Sequence, residues 1–152
     1  MSTAFNNKLL FRASCAGMLM FGIVVLILGS VASDLRVKLS LDEVSAGSLF
    51  SVLPFGMLTG SLFFGPVVDK YGYRILLSAS CLLLFAGFEG IAFSGNADML
   101  KLFIFLTGAG GGAVNGATNA LVADISETDK GADLSLLGSF FGFGALGIPL
   151  IL

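Results

Sequence analysis

Long apolar stretches alternate with short polar links along this chain. The apolar stretches occupy 11–32, 44–68, 75–93, 99–123 and 134–152, and the links between them hold most of the charged residues. A helix rises 1.5 Å per residue, so about 20 apolar residues cross the hydrocarbon core of a bilayer. Each of the first four stretches therefore predicts a transmembrane helix, and the fifth predicts the start of another. The predicted class is an all-α membrane protein, a helical bundle of about five transmembrane helices.

The links carry helix signals of their own. Ser40-Leu41-Asp42-Glu43 has the form of a capping box ahead of the second stretch. Pro54 lies inside that stretch, which a membrane helix tolerates when neighbours satisfy the freed carbonyl. Gly72 permits a tight reversal, so the second and third helices are expected to return as an antiparallel pair. Gly95-Asn96 reads as a turn, with Asn96 or Asp98 capping the fourth helix. The fifth stretch is still apolar at Leu152. That pattern reads as a chain stopping in mid-helix, the N-terminal part of a longer protein. A small homo-oligomeric pore or assembly protein, complete in five spans, is the alternative.

Small residues mark helix contacts. Gly56 and Gly60, Gly108, Gly112 and Gly116, and Gly138 and Gly142 each stand four apart on one helix face, where a second backbone can approach. Such faces serve either close packing or the sliding of one bundle on another. Lys8, Arg12, Lys70, Arg74 and Lys130 fall on one side of the bilayer and Arg36, Lys38 and Lys101 on the other. The positive-inside rule then puts the N-terminus in the cytoplasm, with Tyr71 and Tyr73 at the inner interface. The first stretch is longer than the 7–15-residue core typical of a secretory signal, so it reads as an uncleaved helix.

Composition narrows the chemistry. Charged residues are 12% of the chain, about half the share in soluble domains, and the net charge is −2, so no basic field suits nucleic acid. Histidine is absent, which removes the commonest metal ligand and the usual proton carrier at neutral pH. Cys15 and Cys81 sit in apolar stretches and read as small buried side chains. No nucleophile stands beside a base and no paired acids share a depth, so no enzyme, cofactor or metal site is expected. Gly108-Ala109-Gly110-Gly111-Gly112 follows an apolar helix rather than a strand, which argues against a dinucleotide loop.

Three polar features remain. The turn Gly65-Pro66-Val67-Val68-Asp69-Lys70-Tyr71-Gly72-Tyr73-Arg74 packs an acid, two bases and two glycines between two spans. Asp69 can pair with Arg74 or face the positive end of another helix. Asn115, Thr118 and Asn119 cluster in the fourth stretch, with the two amides on one face. An amide donates and accepts at once, which suits a hydroxylated solute as well as an interhelical bond. Glu89 is an acid well inside a span, about 22 Å along the helix from Arg74. It is a candidate proton or cation site, or a side chain reaching toward the outer interface.

The pattern Gly65-x-x-x-Asp69-Lys70-x-Gly72-x-Arg74 resembles the signature between helices two and three of the major facilitator superfamily. The runs Asn115-Gly116-Ala117-Thr118-Asn119 and Gly142-Phe143-Gly144-Ala145-Leu146-Gly147-Ile148-Pro149 resemble helices four and five of its fucose-permease-like sugar branch. The resemblance implies a twelve-helix fold in two halves, each a pair of inverted three-helix repeats, with solute bound near the midplane. This chain would be the N-terminal bundle, 1–152, and the missing C-terminal half its partner, alongside the bilayer and a small-molecule solute. Gly65, Asp69, Lys70, Gly72 and Arg74 would form the inner gate, and Asn115, Thr118 and Asn119 would line the solute path. Two departures stand out. Tyr73 occupies a place where many members have a second basic residue. Gly29 and Asn115 occupy the places of a helix-one Asp and a helix-four Glu that couple protons in that branch. The expected function is secondary transport of a small polar solute, with a sugar favoured, by a symporter or uniporter in the plasma (inner) membrane.

Overall fold

The computed structural model describes residues 7–38, 43–127 and 129–147, all but a few of them helical. The helices are α1 (Asn7–Lys38), α2 (Glu43–Phe93), α3 (Ala97–Ile125) and α4 (Lys130–Gly147). Among the described residues three spans, Asn7–Ser30, Gly47–Phe93 and Ala97–Ile125, are long and apolar enough to cross a membrane. The capping box at 40–43 falls largely outside the described residues, as do Ile148, Pro149 and the rest of the fifth stretch to Leu152.

The second and third stretches emerge as one helical element, α2, interrupted at Gly72. Gly72 has φ 78° and ψ 165°, a region open to glycine and closed to residues with a Cβ. The break is required on length alone, because a straight helix of 51 residues would run about 76 Å, far more than a bilayer. The two arms then pack on α3 in opposite senses. In the first arm, Leu53, Gly56, Met57 and Gly60 meet Phe105, Gly108, Ala109 and Gly112, so residue numbers rise together. In the second arm, Ser80, Leu84, Gly87 and Gly90 meet Gly110, Thr107 and Phe103 in falling order. The arms are therefore antiparallel, as the glycine turn predicts.

Helix ends follow local chemistry. Asn96 Oδ1 accepts the backbone N–H of Met99 at 2.8 Å and caps α3. Asp129 Oδ1 accepts the N–H of Ala132 at 3.0 Å and caps α4, which begins at Lys130, four residues ahead of the apolar stretch. Ser126 Oγ donates to Asp133 Oδ2 at 2.6 Å across the same link.

The chain divides into two compact units, Leu28–Ala117 and the remainder. In the first, Leu28, Leu49, Ile91, Leu100 and Ile104 form one apolar cluster. Leu76, Ala113 and Ala117 form another, with Phe64, Val67, Val68, Tyr73 and Leu77 packed on it. In the second unit, α1 packs on α4: Gly22 meets Phe141 and Ala145, Gly144 meets Leu19 and Ile23, and the rings of Phe21 and Phe141 lie 5.4 Å apart.

These two packings repeat each other. Gly56 sits against Phe105 and Ala109 as Gly144 sits against Leu19 and Ile23, and Gly108 against Leu53 and Met57 as Gly22 against Phe141 and Ala145. At the constant spacing this sets, Leu49, Ser51, Phe55, Gly56 and Leu58 match Leu137, Ser139, Phe143, Gly144 and Leu146 without a change of residue. Burial repeats as well. Leu49 and Leu137 are buried, while Phe55 and Phe143 are 65% and 68% exposed. The first arm of α2 with α3 and α4 with α1 are thus two versions of one helix pair, legible in sequence only once the contacts supply the register.

Candidate functional site

The turn at Gly72 is held from beneath and open above. Tyr73 is half-buried in the cluster around Ala113 and Ala117, which ties the turn to α3. Asp69, Lys70 and Arg74 are all exposed, and Lys70 Nζ lies 5.1 Å from the centre of the Tyr71 ring. Among the described residues, Asp69 makes no ion pair with Arg74. A Cβ at Gly65 would meet nothing within 4 Å, so that glycine leaves a bare patch of helix one turn before Asp69. The turn therefore presents an acid and two bases outward, with Tyr73 packed beneath them.

Helix α3 carries the second feature. Thr118 is buried, and Asn115 and Asn119 are half-buried one turn apart. All three engage partners in the structure. Between Leu102 and Ala123 α3 has no ionisable side chain, so its polar character in mid-span comes from neutral hydroxyl and amide groups. One of these, Thr107, donates to the carbonyl of Phe103 at 2.8 Å and so satisfies itself within the helix.

Glu89 is exposed on the second arm of α2, on a face it shares with Leu82, Phe85 and Phe93. It stands four residues before the helix end at Phe93, about 6 Å along the axis. Cys15 is buried as expected, but Cys81 is exposed, because that side of the arm faces away from α3. The glycine faces divide in the same way. A Cβ at Gly56, Gly60, Gly108 or Gly112 would meet backbone, and at Gly116 the ring of Phe64, so these serve close packing within the unit. Gly138 and Gly142 meet nothing within 4 Å. Sequence reasoning missed Ser61, whose Oγ donates to the carbonyl of Gly112 at 3.2 Å; its place one residue past Gly60 was the available signal.

Residues 10–152 match the Major Facilitator Superfamily. The chain belongs to that superfamily. Within it, the chain is 40% identical over 93 residues to the 4-hydroxybenzoate transporter PcaK of Acinetobacter baylyi, covering 60% of this chain and 20% of that protein. It is 31% identical over 137 residues to sodium-dependent glucose transporter 1A of Mus musculus, covering 90% of this chain and 32% of the relative. It is 28% identical over 131 residues to the niacin transporter NiaP of Acinetobacter baylyi, covering 86% and 29%. The chain thus spans a third or less of the length of these relatives. No solved structure matches it. The relatives named for aromatic acids and for glucose do not single out the fucose-permease-like sugar branch.

Proposed function

We propose that the intact protein is a secondary transporter that moves a small polar solute across the membrane by alternating access, this chain being the N-terminal part of its first bundle. The neutral polar face of α3 carries the reading. Asn115 and Asn119 lie one turn apart in a span that lacks charge between Leu102 and Ala123. A midplane site of amides and hydroxyls suits an uncharged, hydroxylated solute, because a carboxylate in that medium calls for a cation. The solute class is therefore a sugar or similar polyol. A second reading, an aromatic carboxylate, draws support from the names of the relatives at 40% and 28% identity.

Gly65, Asp69, Lys70, Gly72 and Arg74 act as the inner gate, on the cytoplasmic side with the N-terminus. Their charges point away from their own unit, which leaves them available to a second bundle. Gly29 and Asn115 stand at the places of the branch's coupling acids, so neither of those two positions supplies a proton site.

The test is a counterflow assay on the reconstituted full-length protein with labelled glucose and labelled 4-hydroxybenzoate. Counterflow of glucose alone supports the sugar reading, and counterflow of 4-hydroxybenzoate alone overturns it. Asn115→Ala and Asn119→Ala should each weaken the transported solute's affinity about tenfold, the cost of one unmade buried hydrogen bond. Unchanged affinity in both removes them from the path. Glu89→Gln belongs in the same series, since a pH profile identical to the parent excludes Glu89 from the cycle.

A further inference from the structure

The groove between the N-terminal part of α1 and the beginning of α4 belongs to none of the features above. It encloses about 490 Å³, and its lining includes Arg12, Cys15, Leu19, Met20, Leu136 and Phe140. From Arg12 to Met20 it follows α1 for about 12 Å, a narrow apolar strip open along one side. Arg12 alone among its lining residues is charged, and it sits near the polar end of the span Asn7–Ser30.

The charges around that end are distributed unevenly. Glu127 accepts a hydrogen bond from Asn7 Nδ2 at 3.0 Å, Asp129 caps α4, and Asp133 accepts from Ser126. These three acids are held by neutral donors, keep their charge, and lie outside the lining of the groove. The guanidinium of Arg12 is exposed and forms no ion pair among the described residues. An arginine at the end of a membrane span directs its head toward the headgroup layer while its stem lies on apolar surface. A planar guanidinium also matches the oxygens of a phosphate bidentately.

We propose that this groove is a binding site for one anionic phospholipid, with the headgroup phosphate on Arg12 and an acyl chain along Cys15, Leu19, Met20 and Phe140. The long, side-open shape accommodates a chain better than a flat ring, and a lining whose one charged residue is a cation favours a net negative lipid over a zwitterionic one. The proposal needs only that α1 spans a bilayer, so it stands or falls apart from the transport reading.

The chain contains no tryptophan, which provides a direct readout. Met20, 60% exposed at the groove, is replaced in the full-length protein by M20W, and Leu82, 69% exposed on α2, by L82W as a control. Each variant is placed in nanodiscs holding a small fraction of brominated phosphatidylglycerol or brominated phosphatidylcholine, and quenching of the introduced fluorescence is measured. At M20W, phosphatidylglycerol should quench at about fivefold lower mole fraction than phosphatidylcholine, the preference one basic residue confers. L82W should show no preference. Adding R12Q to M20W should abolish the preference, and R12K should retain most of it. Equal quenching by both lipids at M20W overturns the proposal. So does absence of quenching by either, which would mean that another part of the protein fills the groove. A preference that survives R12Q overturns the role of Arg12.

Discussion

Single positions decide the most local features of this chain. Gly72 turns α2 at φ 78° and ψ 165°, and an alanine there would carry strain of about 1–3 kcal/mol. Gly72→Ala should lower the melting temperature of the detergent-solubilised full-length protein by several degrees, and an unchanged melting curve would contradict that account. Asp69 is different, because it is exposed. Asp69→Asn should change stability by no more than about 0.5 kcal/mol while cutting uptake, and that split separates a gate from a structural ion pair. Residue-level chemistry was partly legible in the sequence. The Asn96 cap was readable from an Asx residue beside a glycine. The Asp129 cap was hidden among four acids between 124 and 133, where polarity masked the first turn of α4.

At the scale of helices, spacing predicted which glycines share a face but not which faces have a neighbour. Gly112 lies against the backbone of Met57, so Gly112→Val should destabilise the protein by about 1–3 kcal/mol through forced separation of two helices. Gly138 faces open space, so Gly138→Ala should leave thermal stability unchanged within error in the same scanning measurement. Equal effects of the two substitutions would show that these contacts do not govern packing. The spans themselves were legible because hydrocarbon demands apolar length and internal backbone bonding. The repeat of the α2–α3 packing in α1 and α4 was not, since five matching residues have no visible register until the contact points of Gly56 and Gly144 are known.

For the molecule as a whole, the chain spans a third or less of the length of the PcaK, glucose-transporter and NiaP relatives. Alternating access needs a second bundle to move against. The purified 152-residue chain, reconstituted alone, should show no counterflow under conditions where the full-length protein does, and uptake by the chain alone would refute the two-bundle mechanism. The amino-acid sequence by itself determined the all-helical membrane class, the reversal at Gly72 and the neutral polar face of α3. Each depends on composition within one turn or one bilayer thickness, and hydrocarbon or backbone sterics enforce it without reference to distant residues. Only the tertiary structure decided that Gly56 and Gly108 are spent on packing while Gly138 is open, that Cys81 and Glu89 face outward, and that Arg12 overlooks an apolar groove. Those outcomes depend on which segments return to meet which faces, and packing between residues far apart in the chain sets that.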